Sequence, residues 1–439
     1  MNHASEMHAS QCVGTLPAST ASFPGTELYR QLDDDINQVL NADIGFTALI
    51  RPDVYPMDDA TVDGYRTRYR LIKTFQERTL EIFKASLNGD CDPEIAASVL
   101  GDVPAHLGTD YHRQLTKRQH LTPVFFRTDE PVPGKVSEIQ CPGSGWCVVE
   151  EIQTLYRNNP EVFGRSRHFP PSLAAEFSST LRKHLKTEPV VHHLTDNASR
   201  PHGMRYFIQQ TRRHGIRYFG YDRNIEPKHC NFVRSHDFIT LPHHNFFAER
   251  MTACEAGELH FDLPPSVLFD GKIILAWPFW RKTREFYTDE FRTLFPFTDV
   301  ISDDGFEVAP GEKMTLEAFA GLNRSKRNCF IKYAGSDIGI NWGSKSVYLA
   351  SHLSRPQIDS LAKRIQEDNR RGRLWIVQEA LAHCEPVRFV CRNGDLAETD
   401  AHSKFSGFYG PDGLMSILVM QKSAPKVHGS GETVMSVVF

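Results

Sequence analysis

The stretch Pro123–Gln140, PVFFRTDEPVPGKVSEIQ, decides how this chain is read. It holds two short β-type runs that carry Arg127, Asp129, Glu138 and Gln140 at alternate positions, and alternate residues of a strand share a face. A turn at Pro131–Gly134 folds one run back on the other, so that an arginine, two carboxylates and an amide oxygen meet on one patch. Hard oxygen ligands beside a guanidinium are what a magnesium-nucleotide site requires. Taken alone, the pattern serves a solvated hairpin face at least as well.

A second constellation lies two hundred residues downstream. NCFIKYAGSDIGINWGSKSVYLAS places Lys332 at the end of an apolar strand and then a loop with Gly335, Ser336, Gly339, Gly343 and Ser344. Glycines let backbone N–H groups approach phosphate oxygens, and the lysine adds a point charge. The loop matches neither the Walker pattern nor the dinucleotide fingerprint, both of which open a helix. Further on, RGRLWIVQEAL gives a strand over 374–378 that ends in Glu379, Ala380 and Leu381. Such an ending suits an adenine edge, with backbone and carboxylate as hydrogen-bond partners and leucine against the ring.

Together the three segments resemble the circularly permuted form of the ATP-grasp superfamily, as in glutathionylspermidine synthase-like carboxylate-amine ligases. Arg127-Thr-Asp129 and Glu138-Ile-Gln140 stand where that group carries its amino-terminal metal-ligand runs. Phe330–Ser344 stands at the lysine strand and Gly-rich lid, and Gln378-Glu379-Ala380-Leu381 at the adenine hinge. The resemblance implies an α+β ATP-grasp fold, with a nucleotide cleft between two α+β subdomains and a small α/β domain beside them. It implies ATP and Mg2+, with Mn2+ as the substitute ion. Asp129, Glu138 and Gln140 would be metal ligands. Lys332, Gly335, Ser336, Gln378, Glu379 and Leu381 would hold the nucleotide, Arg127 and Lys332 would act in catalysis, and Ser144 and Lys404 would touch substrate. Gln140 replaces the usual asparagine, and its extra methylene, about 1.5 Å, leaves direct and water-mediated metal contact both open. Lys313 and Lys326 are the candidates for a second phosphate lysine, with Lys313 the first choice.

The implied reaction is ATP-dependent amide formation between a small-molecule carboxylate and an amine, both expected to be amino acids, through an acylphosphate. A catalytically silent ATP- or metabolite-binding protein on the same fold is the alternative. A third reading, a histidine-ligated metal oxygenase, rests on His260-Phe261-Asp262, while the run of His229, Cys230, His236, His243 and His244 offers zinc ligands or, as the plainer reading, an irregular polar loop. Neither has a repeated two-ligand spacing, and a three-residue motif arises by chance in a chain with 20 histidines.

Composition agrees with a folded enzyme. The 439 residues suffice for two or three packed subdomains, 40% are apolar and 24% charged, and the net charge of −4 disfavours a general nucleic-acid or membrane-surface binder. Assembly into an oligomer is left open. No stretch reaches the roughly 20 apolar residues of a membrane span, and the first residues lack a basic start and an apolar core, so they read as a mobile tail and not a signal. Nine scattered cysteines without a disulfide framework favour a reducing cytoplasm. Cys141 and Cys147 bracket the loop after the hairpin and read as plain thiols.

Along the chain, residues 1–25 form the tail, 26–120 a helical region, and 121–188 the permuted metal-binding part. Residues 189–312 form the small α/β domain, 313–382 the lysine strand, lid and hinge, and 383–439 the closing strands. Helices are expected over 28–41, 63–88 and 148–158, the last broken at Asn159-Pro160. From Pro189 the pattern VVHHL, helix 200–214, IRYFGYD alternates strand and helix. Asp270-Gly271 signals a hairpin, and the arginine-rich WRKTREFYTDEFRTLF fits either an anionic substrate or a domain interface. The tail reads as three strands turning at Asn393-Gly394 and Gly410–Gly413. Arg388, Lys404 and His428 are its polar candidates, Lys404 first because strand alternation aims it to one side.

Overall fold

Helix α1 (Asp59–Asn88) begins four residues before the expected start because the Asp58 side chain caps it, accepting from Thr61 N at 2.7 Å. It ends where Gly89 turns left-handed at φ 84°. Its buried stripe, Val62, Tyr65, Ile72, Phe75, Ile82 and Phe83, follows helical spacing. Helices α2 (Pro93–Leu100) and α3 (Thr109–Leu115) pack beside it. The computed structural model describes residues 48–104, 107–117, 122–141, 144–164, 168–170, 172–194, 201–220, 229–235, 250, 252–263, 266–269, 271–335, 346–391, 396–427 and 432–438. The expected tail, the helix over 28–41, His236, His243, His244 and His428 lie outside them, as do Ser336, Gly339, Gly343 and Ser344 of the Gly-rich loop.

The protein is mixed α+β, with three larger sheets and a two-stranded ribbon among the described residues. The largest has seven strands: β1 (Ala48–Ile50), β2 (Phe126–Glu130), β3 (Glu138–Gln140), β14 (His383–Val390), β15 (Leu396–Gly410), β16 (Gly413–Lys422) and β17 (Thr433–Val438), ordered β14-β1-β17-β16-β15-β2-β3. The hairpin and the three carboxyl-terminal strands form as the alternation indicated. Strands β1 and β17, paired in parallel, complete the sheet from the two ends of the described chain. Helix α1 covers one face of β2, where Tyr69 stacks on Phe126 and Arg68 pairs with the buried Glu130 at 3.2 Å. Helices α4 (Trp146–Asn158), α5 (Pro160–Phe163) and α6 (Leu173–Leu185) follow the hairpin, with the expected break at Asn159-Pro160. Gln153 of α4 bonds Ser416 of β16 at 3.0 Å.

Beside this lies a parallel sheet, ordered β5-β4-β6-β7, of β4 (Val190–Leu194), β5 (Arg217–Phe219), β6 (Phe232–Ser235) and β7 (His260–Phe261). Helix α7 (Pro201–Arg213) makes the β4-to-β5 crossover, which is the α/β unit read from the alternation. The histidine-rich run, read as an irregular polar loop, contributes strand β6 because Phe232 and Val233 fill a buried parallel position.

The third sheet carries Lys332. Its strands are β8 (Thr298–Ile301), β11 (Cys329–Tyr333), β12 (Val347–Leu349) and β13 (Trp375–Glu379), ordered β12-β11-β13-β8 and all antiparallel. It therefore begins at Thr298, earlier than the expected boundary at 313. Ile331, Tyr333, Trp375 and Val377 on one face form a core with Phe319 of α9 (Leu316–Gly321) and Ile358, Leu361 and Ile365 of α10 (Arg355–Asn369). Strand alternation then turns Lys332 and, two rungs away, Gln378 to the opposite face.

The hairpin expected around Asp270-Gly271 does not form; Lys272–Leu275 is a 3-10 turn whose four residues are all buried. A buried apolar run cannot be told from a strand by periodicity, and here it is curled between the sheets. The arginine-rich segment folds largely on itself, and Lys282 ties it to Asp92 and Glu94 at the head of α2, at 3.0 and 2.5 Å. It holds helix α8 (Asp289–Leu294), and Arg292 donates to the carbonyls of Pro278, Arg284 and Tyr287. No helix among the described residues is long and apolar enough to cross a membrane.

Candidate functional site

The β2–β3 register pairs Arg127 with Gln140 and Asp129 with Glu138, so all four side chains fall on one face. Asp129 is 1% exposed and is the hub. Arg127 grips it through Nε to Oδ1 at 2.8 Å and Nη2 to Oδ2 at 2.9 Å. Lys404 Nζ donates to Oδ2 at 2.8 Å and Ser406 Oγ to Oδ1 at 2.7 Å, both from β15, where Ser406 pairs with Asp129. A carboxylate offers about four lone-pair directions, and all are taken. Burial alone would raise the pKa of Asp129, but Arg127 and Lys404 outweigh it and hold the carboxyl well below its usual range. Its neighbour Glu130, on the helix-covered face, is shifted upward, because burial there exceeds the help from Arg68. One strand thus holds adjacent carboxylates in opposite environments.

Arg127 is equally engaged. Beyond Asp129, its Nη1 donates to Ser144 O at 2.7 Å and Oγ at 3.0 Å, and Ser144 Oγ donates onward to Gln140 Oε1 at 3.1 Å. Ser144 therefore ties Gln140 to Arg127. Cys141 and Cys147 flank this loop as buried thiols.

Lys332 reaches the hairpin from the other sheet. Its Nζ donates to Gln378 Oε1 at 2.5 Å and to Ser137 O at 3.4 Å, next to Glu138. Gln378 Nε2 in turn donates to Thr298 Oγ1 at 3.1 Å. Burial lowers the Lys332 pKa to about 8, with Glu138 opposing the fall and Lys272 and Lys404 adding to it. Glu138 is the open carboxylate, with 29% of its side chain exposed and Lys272 Nζ at 3.5 Å. Burial raises its pKa, yet Lys272, then Lys404 and Lys332, bring it below the ordinary value.

The structure thus gathers Arg127, Asp129, Glu138, Gln140, Ser144, Lys332, Gln378 and Lys404 of the expected residues. Sequence reasoning missed Ser406 and Lys272. Ser406 was within reach of the same alternation that selected Lys404. Lys272 carried no signal, since the Asp-Gly step pointed to a hairpin. Lys313 is not brought in; it is exposed on the ribbon of β9 (Phe306–Glu307) and β10 (Lys313–Met314), and Lys272 stands at the cluster instead. Lys326 is likewise exposed, in the 3-10 turn Arg324–Lys326. Gln378, expected at the adenine, is buried and holds Lys332. Glu379 is exposed, and both its N–H and its carboxylate bond Phe297. Leu381 is half-buried beside it. At Gly335 a Cβ would run into Asp102 and the Tyr333 hydroxyl, which bond each other, so packing by itself accounts for that glycine.

Asp262 of the histidine motif accepts from Arg234 at 2.7 Å and from Phe125 N at 2.9 Å in a fully buried pair. Its role is structural.

Four cationic groups face two carboxylates here, so the site favours a polyanion. The oxygen set suits a hard cation brought in on phosphate. Magnesium commonly keeps water and takes one or two carboxylates along with phosphate oxygens, and Glu138 is open for that, with the Gln140 carbonyl on the same face. Asp129 could join only by giving up one of its four hydrogen bonds. No group of three or more His, Cys, Asp or Glu among the described residues is arranged to hold a metal by itself. No family model matches the chain, and no curated protein is detectably similar to it in sequence.

Proposed function

We propose that the protein is an ATP-dependent carboxylate-amine ligase of the circularly permuted ATP-grasp type. The observation that carries this reading is the meeting of Lys332, from the four-stranded sheet, with the Arg127, Asp129, Glu138 and Lys404 cluster of the seven-stranded sheet. Two sheets facing each other across excess positive charge and one open carboxylate suit a metal-bound triphosphate better than an isolated metal or a neutral ligand.

In this reading Lys332, Lys272 and Lys404 hold the phosphates, and Glu138 with Gln140 would hold Mg2+, which screens the phosphate charge. Asp129 keeps Arg127 and Lys404 in place. A substrate carboxylate oxygen attacks the γ-phosphorus, forming the acylphosphate as the bond to ADP breaks. An amine then attacks the acyl carbon, the amide forms, and phosphate leaves with release of a proton. Arg127, through its remaining N–H, stabilises charge on the transferred group. Ser144, beside Arg127, would touch the acyl substrate.

The test is ADP release from ATP and Mg2+ with paired amino acids, alongside calorimetric titration of nucleotide. ADP formation that requires both an acid and an amine supports the ligase. Absence of nucleotide binding overturns it. The second reading, a silent nucleotide binder, is favoured by the full commitment of Asp129 to protein partners; it predicts tight nucleotide binding with no ADP release for any pair.

A further inference from the structure

At the amino-terminal end of α10, three guanidinium groups gather. Arg324 Nε and Arg327 Nη2 both donate to the carbonyl of Leu353, at 3.2 and 3.1 Å. Leu353 directly precedes Ser354, the cap of this 15-residue helix, and Arg355 is the first residue within it. Two guanidinium donors on one oxygen place like charges side by side, and the exposed Lys326 adds another nearby. Asp359 answers Arg355 at 3.0 Å and leaves the cluster well in excess positive charge.

Arg327 makes the arrangement more than a basic surface. It is 2% exposed, and its Nε and Nη1 find no hydrogen-bond partner among the described residues. Its bond to Leu353 O fixes the guanidinium at the head of the helix. Burial first, then Arg324 and Arg355, work against its charge, yet arginine does not deprotonate in proteins. A buried charge with unused donors is costly unless something accepts from it.

One ligand answers these demands together. A tetrahedral oxyanion accepts several N–H bonds at once, neutralises neighbouring guanidinium groups, and is favoured at the positive end of a helix dipole. We propose that Arg324, Arg327 and Arg355 at the head of α10 form a binding site for a small doubly charged oxyanion of the phosphate class. The site is separate from the Lys332 cleft. Cys329, two residues beyond Arg327, is already three strand positions from Lys332, or about 10 Å. It does not depend on the ligase reading.

The experiment is titration of the full chain with inorganic phosphate at constant ionic strength, followed by calorimetry and thermal unfolding. Variants are Arg324→Gln, Arg355→Gln, their double and Arg327→Gln, with Lys332→Ala reporting on the cleft. Saturable phosphate binding is expected in the wild type and in Lys332→Ala. Each single arginine change should weaken it about tenfold, as for loss of one charge-assisted hydrogen bond, and the double should abolish it. Arg324 and Arg355 are exposed, so their variants decide the matter if Arg327→Gln does not fold. No binding in the wild type, an equal response to chloride, binding untouched by the arginine changes, or binding lost in Lys332→Ala would each overturn the proposal.

Discussion

Lys404 Nζ meets Asp129 Oδ2 at 2.8 Å across 275 residues of sequence. The contact joins the closing strands of the large sheet to the hairpin near its other edge. It also makes Asp129 an organiser of cations, whereas Glu138, directly opposite on β3, stays open.

The two carboxylates should therefore fail differently. Asp129→Asn removes a buried charge from between Arg127 and Lys404 and should cost about 3–5 kcal/mol of stability. Glu138→Gln should leave the urea midpoint near that of the wild type while abolishing magnesium-dependent ADP formation. Equal stability of both variants would contradict the assignment of roles.

Lys404→Met leaves Asp129 with Arg127 and Ser406, so the loss should be smaller, about 2 kcal/mol, the worth of a hydrogen bond to a charged group. Nucleotide affinity should fall with it. Urea unfolding and calorimetric titration on the same preparation measure the two effects.

Lys332 provides a pH signature. Its folded pKa of about 8 lies below the ordinary lysine value of 10.5, so the cost of burying its charge is complete below pH 8 and is relieved as pH rises toward 10.5. Lys332→Met removes that cost, and its stability advantage over wild type should shrink as pH climbs through this window. A difference that does not vary with pH would show that the lysine is not strained.

Nucleotide binding should act on the same proton. A polyanion raises the Lys332 pKa, so binding above pH 8 should take up protons and weaken as pH rises. Calorimetry in buffers of different ionisation enthalpy counts the protons, and Lys332→Met should show less uptake.

Gln378 is expected to position Lys332 rather than read the base. Gln378→Leu should move the pH dependence of nucleotide binding downward, because the ammonium loses its 2.5 Å acceptor, while ATP and GTP keep their relative affinities. Gln378→Glu should move it upward. A changed preference between the two nucleotides would return Gln378 to the base.

Much of the scaffold was legible in the sequence because it follows local rules. Alternation at Arg127 and Asp129, and at Glu138 and Gln140, needs only the two-residue strand period and a turn, and the observed register agrees. The strand bearing Lys332, the strand ending at Glu379, the carboxyl-terminal hairpins and α1 likewise carry their own periodicity and breakers. The site itself was decided by packing. The spacing around Lys404 shows that it shares a face with Ser406, but only the pairing of β15 with β2 brings that face to Asp129. Lys272 reaches Glu138 because a buried apolar run curls into a 3-10 turn where the Asp-Gly step indicated a hairpin. Gln378 meets Lys332 through its place on β13, a contact that the spacing of Gln378-Glu379-Ala380-Leu381 does not show. Period and capping act over a few residues and are written in the chain, whereas charge meeting charge between two sheets depends on how distant surfaces bury each other, and only the folded structure decides that.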